Sequence, residues 1–237
     1  KEYQLLYQFM FKKLNNIGDC GIVCDFGEEV NREINTIVIK LFHHVKKEVL
    51  KGNLNGILNY TPSYNKLIIN FDLEKINSSA IIDFLKSINF SKLDLSQNSK
   101  KWTIPVCYDF EMDLENMSKT LKINKDEIID IHLNTDFFVY MVGFIPGHPF
   151  MGDLNSKLFL NRLKTPRVKI PPGSVGIVEK FCNIYPYESP GGWHIIGRTP
   201  TKLFNTKDNS NPCLLSPGDS VKFKSISKKE FENLNNE

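Results

Sequence analysis

Residues 143–200 carry eight of the chain's 14 glycines and eight of its 12 prolines in 58 positions. Proline fixes φ and removes a backbone donor, while glycine opens conformations that other residues avoid. Such a segment cannot run as a long helix. Its apolar stretches, "GSVGIV" and "WHIIGR", are only strand length and are separated by turn signals, which predicts an all-β barrel or sandwich. Three of the chain's four arginines (Arg162, Arg167 and Arg198) also fall here, against 26 lysines spread over the whole length. Arginine presents a planar fork of donors that matches a carboxylate or phosphate, so the region suits a small anionic ligand.

The preceding chain has a different character. Tyr3, Leu5, Tyr7, Phe9 and Phe11 alternate with polar residues, a strand signal, and residues 20–27 ("CGIVCDFG") form a second apolar strand. Over residues 28–51, Val30, Ile34, Ile37, Val38, Leu41, Val45 and Val49 recur at helical spacing until Gly52 and Asn53 stop the pattern. "GILNYTPSYNKLIINFD" predicts two strands around a turn, followed by a helix capped by Asn77 or Ser78. The order strand, strand, helix, strand, strand, helix fits a sheet with both helices on one face. Residues 91–100 are polar and without period, so they read as a linker. The expected class is α+β: an α/β sandwich over residues 1–92 and a β-barrel domain over 101–237. The second opens on "KWTIPVCYDF" and two short helices, one capped near Asn124 and Glu127, and ends on a closing strand after Pro217-Gly218-Asp219.

A chain of 237 residues is long enough for two such cores, and 41% hydrophobic with 24% charged residues is the make-up of a globular protein. The net charge of +3 is too small to suggest nucleic acid as a partner. No run reaches the ~20 apolar residues of a membrane span, and the first residues lack the apolar core of a signal peptide. A cytoplasmic, trimmed or processed chain is therefore expected. The five cysteines include no C-x-x-C pair and read as buried free thiols, with no metal site.

Phosphate loops, dinucleotide-binding glycine turns, nucleophile elbows and the Met-Lys-Met site for biotin are all absent. What the region does offer is polar side chains on rigid turns. His148 lies between Pro146 and Pro149 beside Gly147, as a ligand contact or a loop tip. Arg167 precedes a Pro-Gly turn at Gly173 and Ser174. Glu188 and Ser189 occupy another turn, from which a strand runs to Arg198, and Glu188 with Arg198 could equally be a surface pair. Trp193 reads as core, and His43 and His44 read as a solvated helix face. His132 could simply face the last carbonyls of its helix.

The motifs "GFIPGHPFMGDL", "TPRVKIPPGSVGI", "IYPYESPGGWHIIGRTP" and "LLSPGDSVKF" resemble one family. It comprises the B component of bacterial ATP-dependent 5-oxoprolinase, the first component of allophanate hydrolase, the histidine-kinase inhibitor KipI, and the matching part of urea carboxylase. "GDCGIVCDFG", "TPSYNKLIINFD", "IPVCYD" and His132 extend the likeness over nearly the whole chain. The resemblance implies a cyclophilin-like barrel, a C-type barrel partner and a LamB/YcsF-like A component. It also implies ATP as co-substrate in the opening of 5-oxoproline to glutamate. The alternatives it leaves are an allophanate or urea enzyme component and a kinase inhibitor.

On this resemblance Arg167 and Arg198 hold carboxylate or phosphate, and amides near Gly147 and Ser174 stabilise negative charge. Glu188 or His132 moves the proton. His148, Gly173, Tyr185, Ser189 and Gly192 complete the expected binding set. The chain departs from the family pattern at His148, where an aromatic residue is common, and at Phe181-Cys182-Asn183, where relatives commonly read Gln-Thr-Gly. Both departures fall at the expected pocket edge and bear on substrate identity.

Overall fold

The computed structural model describes residues 11–93, 99–208 and 210–236. The chain divides into two compact units, Lys1–Asn98 and Ser99–Glu237. The strand expected over residues 3–11 lies, apart from Phe11, outside the described residues.

In the first unit, β1 (Lys13–Asn16), β2 (Gly21–Asp25), β3 (Ile57–Pro62) and β4 (Lys66–Phe71) form an antiparallel sheet in the order β1-β2-β4-β3. Helix α1 (Arg32–Leu50) begins later than the apolar period suggests, because Asn31 caps it by accepting the Ile34 N–H at 2.9 Å. Helix α2 (Ser78–Ser87) is capped by Asn77. Alternation along β4 points Leu67, Ile69 and Phe71 to one face, where Val38, Leu41 and Val45 of α1 and Ile81 and Leu85 of α2 cover them. Both helices therefore lie on the same side of the sheet. Buried Asn35 ties α1 to the β3–β4 turn by donating to the carbonyls of Ser63 and Tyr64. His43 and His44 are half-buried rather than solvated, and His44 stacks on Phe84.

The second unit is built on a seven-stranded sheet of β5 (Lys101–Val106), β6 (Phe137–Val142), β7 (Pro149–Gly152), β9 (Ser174–Val178), β10 (Phe181–Ile184), β12 (His194–Arg198) and β13 (Ser220–Ser225). Their order is β12-β9-β10-β7-β6-β13-β5, with β13 inserted parallel to β5. Cys107, just past β5, exchanges both backbone hydrogen bonds with Arg198 of β12 at 2.8 and 2.9 Å, which bridges the two edge strands and all but closes a barrel. Strands β8 (Arg167–Ile170) and β11 (Ser189–Gly191) form a separate two-stranded ribbon. Helices α3 (Leu114–Leu121) and α4 (Lys125–Leu133) pack on the barrel core through Leu114, Met117 and Ile128.

Asp219, in the Pro-Gly-Asp turn, is buried and accepts from the Lys100 and Ser216 N–H groups and from Trp102 Nε1. The turn thereby pins β13 to the start of β5. A last helix, α5 (Lys228–Asn235), follows β13 behind a capping box of Ser227 and Glu230. The sequence carries this Ser-x-x-Glu pattern, and the structure adds the helix to the elements read from it. Cys24, Cys107 and Cys182 are buried thiols, whereas Cys20 is exposed and Cys213 only half-buried.

Candidate functional site

The period of two in β10 decides where chemistry is possible. Cys182 and Ile184 point into the barrel core, so Asn183 and its neighbour Tyr185 point outward. Across the ladder Asn183 faces Gly176 of β9 and Phe150 of β7. On this outer face lies a cleft of about 290 Å³, at the low end of small-molecule sites. Its lining includes Phe144, His148, Phe150, Tyr185, Trp193 and Asn183, with Arg162 and Glu179 as its charged groups.

Two polar side chains in this cleft are almost fully buried and carry atoms without hydrogen bonds. His148 is 1% exposed, stacks on Phe150 at 4.8 Å and meets the Tyr185 ring edge at 5.1 Å. Neither of its ring nitrogens has a hydrogen bond, and burial pushes its pKa down to about 4, so the ring is neutral at physiological pH. Asn183 is also 1% exposed, and its Oδ1 is unpaired. Native proteins rarely leave such atoms unsatisfied, so these atoms call for a polar partner from outside the chain, a water or a ligand. Gly176 has no Cβ because one would stand 2.7 Å from Asn183 Oδ1. Gly191 likewise lets Tyr185 approach, since a Cβ there would lie 2.3 Å from its hydroxyl oxygen. Burial raises the Tyr185 pKa, offset by a hydrogen bond to Asn183 and by the Arg162 and Arg167 guanidiniums.

Charge enters from the rim. Arg162 is exposed and, among the described residues, has no carboxylate within ion-pair distance. Glu179 opens the two-residue turn between β9 and β10 with φ of +48°, a left-handed conformation for which that hairpin position normally uses glycine. Phe144, with φ of +71°, is 69% exposed at the same cleft. Strained non-glycine residues of this kind gather at functional sites.

Only part of the expected set comes together here. His148 and Tyr185 line the cleft, and Gly192 borders it, its Cβ position 3.5 Å from Arg162 Nε. Ser174 lies on the same outer face, opposite Tyr185, with its buried Oγ unpaired, and Ser189 Oγ is unpaired on the ribbon. His132 does not face the cleft. It is fully buried on the other side of β10, where its Nδ1 meets the Tyr108 hydroxyl at 2.8 Å and its Nε2 lies 3.7 Å from Cys182 Sγ. Its ring stacks on Phe223, and burial lowers its pKa to about 3. The proton-moving role expected of it therefore has no route to a ligand.

Glu188 is outside the cleft as well, exposed and paired with Lys169 at 3.1 Å rather than with Arg198. Arg167 is committed to buried Asp113, whose second oxygen accepts the Ile195 N–H. Arg198 lies against the rings of Phe110 and Phe231 and donates to the Pro172 carbonyl, away from the cleft lining. The two backbone amides expected to stabilise charge are occupied. The Gly147 N–H is directed at the Cys213 thiol, and the Ser174 N–H is in a turn to Pro171. Gly147 and Gly173 serve the fold, with φ of +76° and +78° and backbone carbonyls of Leu203 and Thr199 where a Cβ would go.

Sequence reasoning missed Glu179 and the pairing of Arg162 with this cleft; Trp193, read as core, is buried as expected and also lines the cleft. The Phe181-Cys182-Asn183 departure did point here, but only Asn183 takes part. Among the described residues no cluster of three or more His, Cys, Asp or Glu could hold a metal, and no helix is long and apolar enough to cross a membrane.

In the second unit, the aromatic-walled polar cleft on the outer face of the nearly closed barrel has the volume and lining of a small-molecule site. The profile of the carboxyltransferase domain, subdomain C and D, matches residues 12–215, and the chain belongs to that family. It is 34% identical to the B component of 5-oxoprolinase from Bacillus subtilis over 232 residues, covering 92% of this chain and 95% of that one. The Haemophilus influenzae protein of the same name is 43% identical over 122 residues, 51% of this chain and 57% of that one. The urea amidolyase of Lachancea kluyveri is 25% identical over 91% of this chain but only 13% of its own length. The crystal structure of TTHA0988 superposes with a TM-score of 0.77 at 28% identity, over 87% of this chain, which spans 40% of that one.

Proposed function

We propose that this chain is the B component of an ATP-dependent 5-oxoprolinase, holding the cyclic amide while the assembled complex opens it to glutamate. The relatives named as the B component of 5-oxoprolinase support the role, one of them along nearly its full length. The observation that carries it at the level of chemistry is one cleft lined by His148 and Asn183, whose ring nitrogens and Oδ1 make no hydrogen bonds, and by Arg162, which has no carboxylate partner among the described residues. These groups match a compact ring bearing an amide and a carboxylate.

The chemistry explains why ATP is required. A lactam is a poor electrophile, and transfer of the γ-phosphoryl group to its oxygen, with ADP leaving, makes its carbon open to water. Water adds, the ring C–N bond breaks as nitrogen takes a proton, and the resulting acyl phosphate is hydrolysed by a second water. In this reading Arg162 fixes the carboxylate and the Asn183 and neutral His148 side chains orient the amide. Glu179, the one carboxylate lining the cleft, exchanges the proton. The chain supplies no glycine-rich phosphate loop, and its cleft is small for a nucleotide, so ATP engages the other components in part.

Partners are a C-type barrel protein and a LamB/YcsF-like A component. Exposed Phe144 at the cleft, with exposed Val168 on the ribbon and Tyr187 on the turn leading into it, gives an apolar rim of the kind a partner covers. The test is ADP release from ATP, with the chain co-purified with its barrel partner and supplied with the A component. Release that requires 5-oxoproline and all three components is the expected result. A stable complex with no such release overturns the assignment, and release driven by urea or allophanate would move the chain to the urea amidolyase branch.

A further inference from the structure

We propose that the cleft reads one edge of an amide, with Asn183 Oδ1 accepting the ligand N–H and a His148 ring N–H donating to the ligand carbonyl oxygen. The class selected is compact amides whose N–H and C=O lie on the same side. The inference deepens the preceding reading, resting on it for the carboxylate but not for the amide edge.

The two side chains are complementary in what they lack. A neutral imidazole has one donor and one acceptor nitrogen, and neither is used within the protein. The Asn183 amide engages the Tyr185 hydroxyl, and its Oδ1, held over Gly176, remains an unpaired acceptor. The side chains that carry this donor and this acceptor line one small cleft. Ordinary secondary amides are trans and present N–H and C=O on opposite sides, where the two groups cannot be met from one wall. A five-membered lactam is locked cis, and primary amides and ureas carry an N–H on the carbonyl side. All of these present the matching edge.

Phe144, Phe150 and Trp193 supply apolar walls for the rest of a small ring. A lactone fills the same space but leaves Asn183 Oδ1 buried without a donor, the situation that costs most in a desolvated site, and an N-methyl lactam adds a methyl group directed at that oxygen.

Trp193 lies in the cleft wall, so its fluorescence in the full-length chain reports binding directly. Three probes are titrated: 5-oxoproline, the lactone in which its ring N–H is oxygen, and its N-methyl derivative. The lactam should bind at least about tenfold tighter than either analogue. Asn183→Leu, and as a second variant Asn183→Ser, should bring the three affinities to within about threefold, the lactam binding more weakly than to the wild type and the lactone more tightly. Wild-type protein that binds the lactone or N-methyl compound as well as the lactam overturns the proposal, as does failure of every amide to bind. Binding of 2-pyrrolidone or urea, with N-methylation still penalised but no affinity for 5-oxoproline, sustains the amide-edge inference and overturns the 5-oxoprolinase assignment.

Discussion

Replacing His132 and Tyr108 together tests whether the histidine belongs to the barrel core. Burial lowers the His132 pKa from the usual 6.5 to about 3, so the folded barrel excludes a proton that the unfolded chain takes up readily. With the folded value depressed, the stabilising contribution is fully present above pH 6.5 and is lost progressively as pH falls toward 3. Between pH 7 and pH 4.5 this one group should remove about 2.5 kcal/mol of stability. Buried His148 adds a similar loss through its own lowered pKa, and carboxylates add theirs, but both are common to wild type and variant.

In His132→Phe/Tyr108→Phe the core keeps aromatic contacts with Phe137 and Phe223, both partners of the Tyr108–His132 hydrogen bond go together, and the Cys182 thiol keeps its weak contact with the Asn183 carbonyl. Urea unfolding followed by tryptophan fluorescence isolates the barrel, since Trp102 and Trp193 both belong to it. The expected result is a pH 7-to-4.5 loss smaller by about 2.5 kcal/mol in the variant. Equal losses in the two proteins would refute a neutral, sealed histidine and return His132 to the list of groups that can exchange protons with a ligand.

Asp113→Ala leaves Arg167 and the Ile195 N–H without their acceptor, and should lower barrel stability by about 3–5 kcal/mol, read as a fall in its thermal midpoint. Gly191→Ala places a methyl group against the Tyr185 hydroxyl and Ile170, at a cost of about 1–3 kcal/mol, and should weaken ligand binding at the cleft more than it affects folding. Glu179→Gly relieves a left-handed residue and should raise the urea midpoint, gaining roughly 1 kcal/mol, while 5-oxoproline-dependent ADP release in the complex falls at least tenfold.

Much of the architecture was legible in local sequence. The glycine and proline density of residues 143–200 forces short strands and turns, and the apolar period of α1 places Val38, Leu41 and Val45 on one face. Asn77 and Asn124 cap the helices they precede, because a side-chain acceptor for an orphan N–H is a local requirement. The family motifs were equally visible, and the Asp219 of "SPGD" holds β13 against β5.

The candidate site was not legible in the same way, because it depends on which side of a strand each residue takes. Cys182 and Asn183 are neighbours in sequence, yet the pleat sends one to His132 in the core and the other to the cleft. Arg162, Arg167 and Arg198 are alike as residues but differ in their surroundings. Arg162 has no carboxylate partner among the described residues, Arg167 has buried Asp113, and Arg198 has the rings of Phe110 and Phe231. These partners come from distant parts of the chain, Asp113 standing 54 positions from Arg167. The sequence by itself determined the elements, since propensity, capping and turn chemistry act over a few residues. Only the tertiary structure decided which polar groups are buried without partners, because desolvation depends on everything that packs around a group.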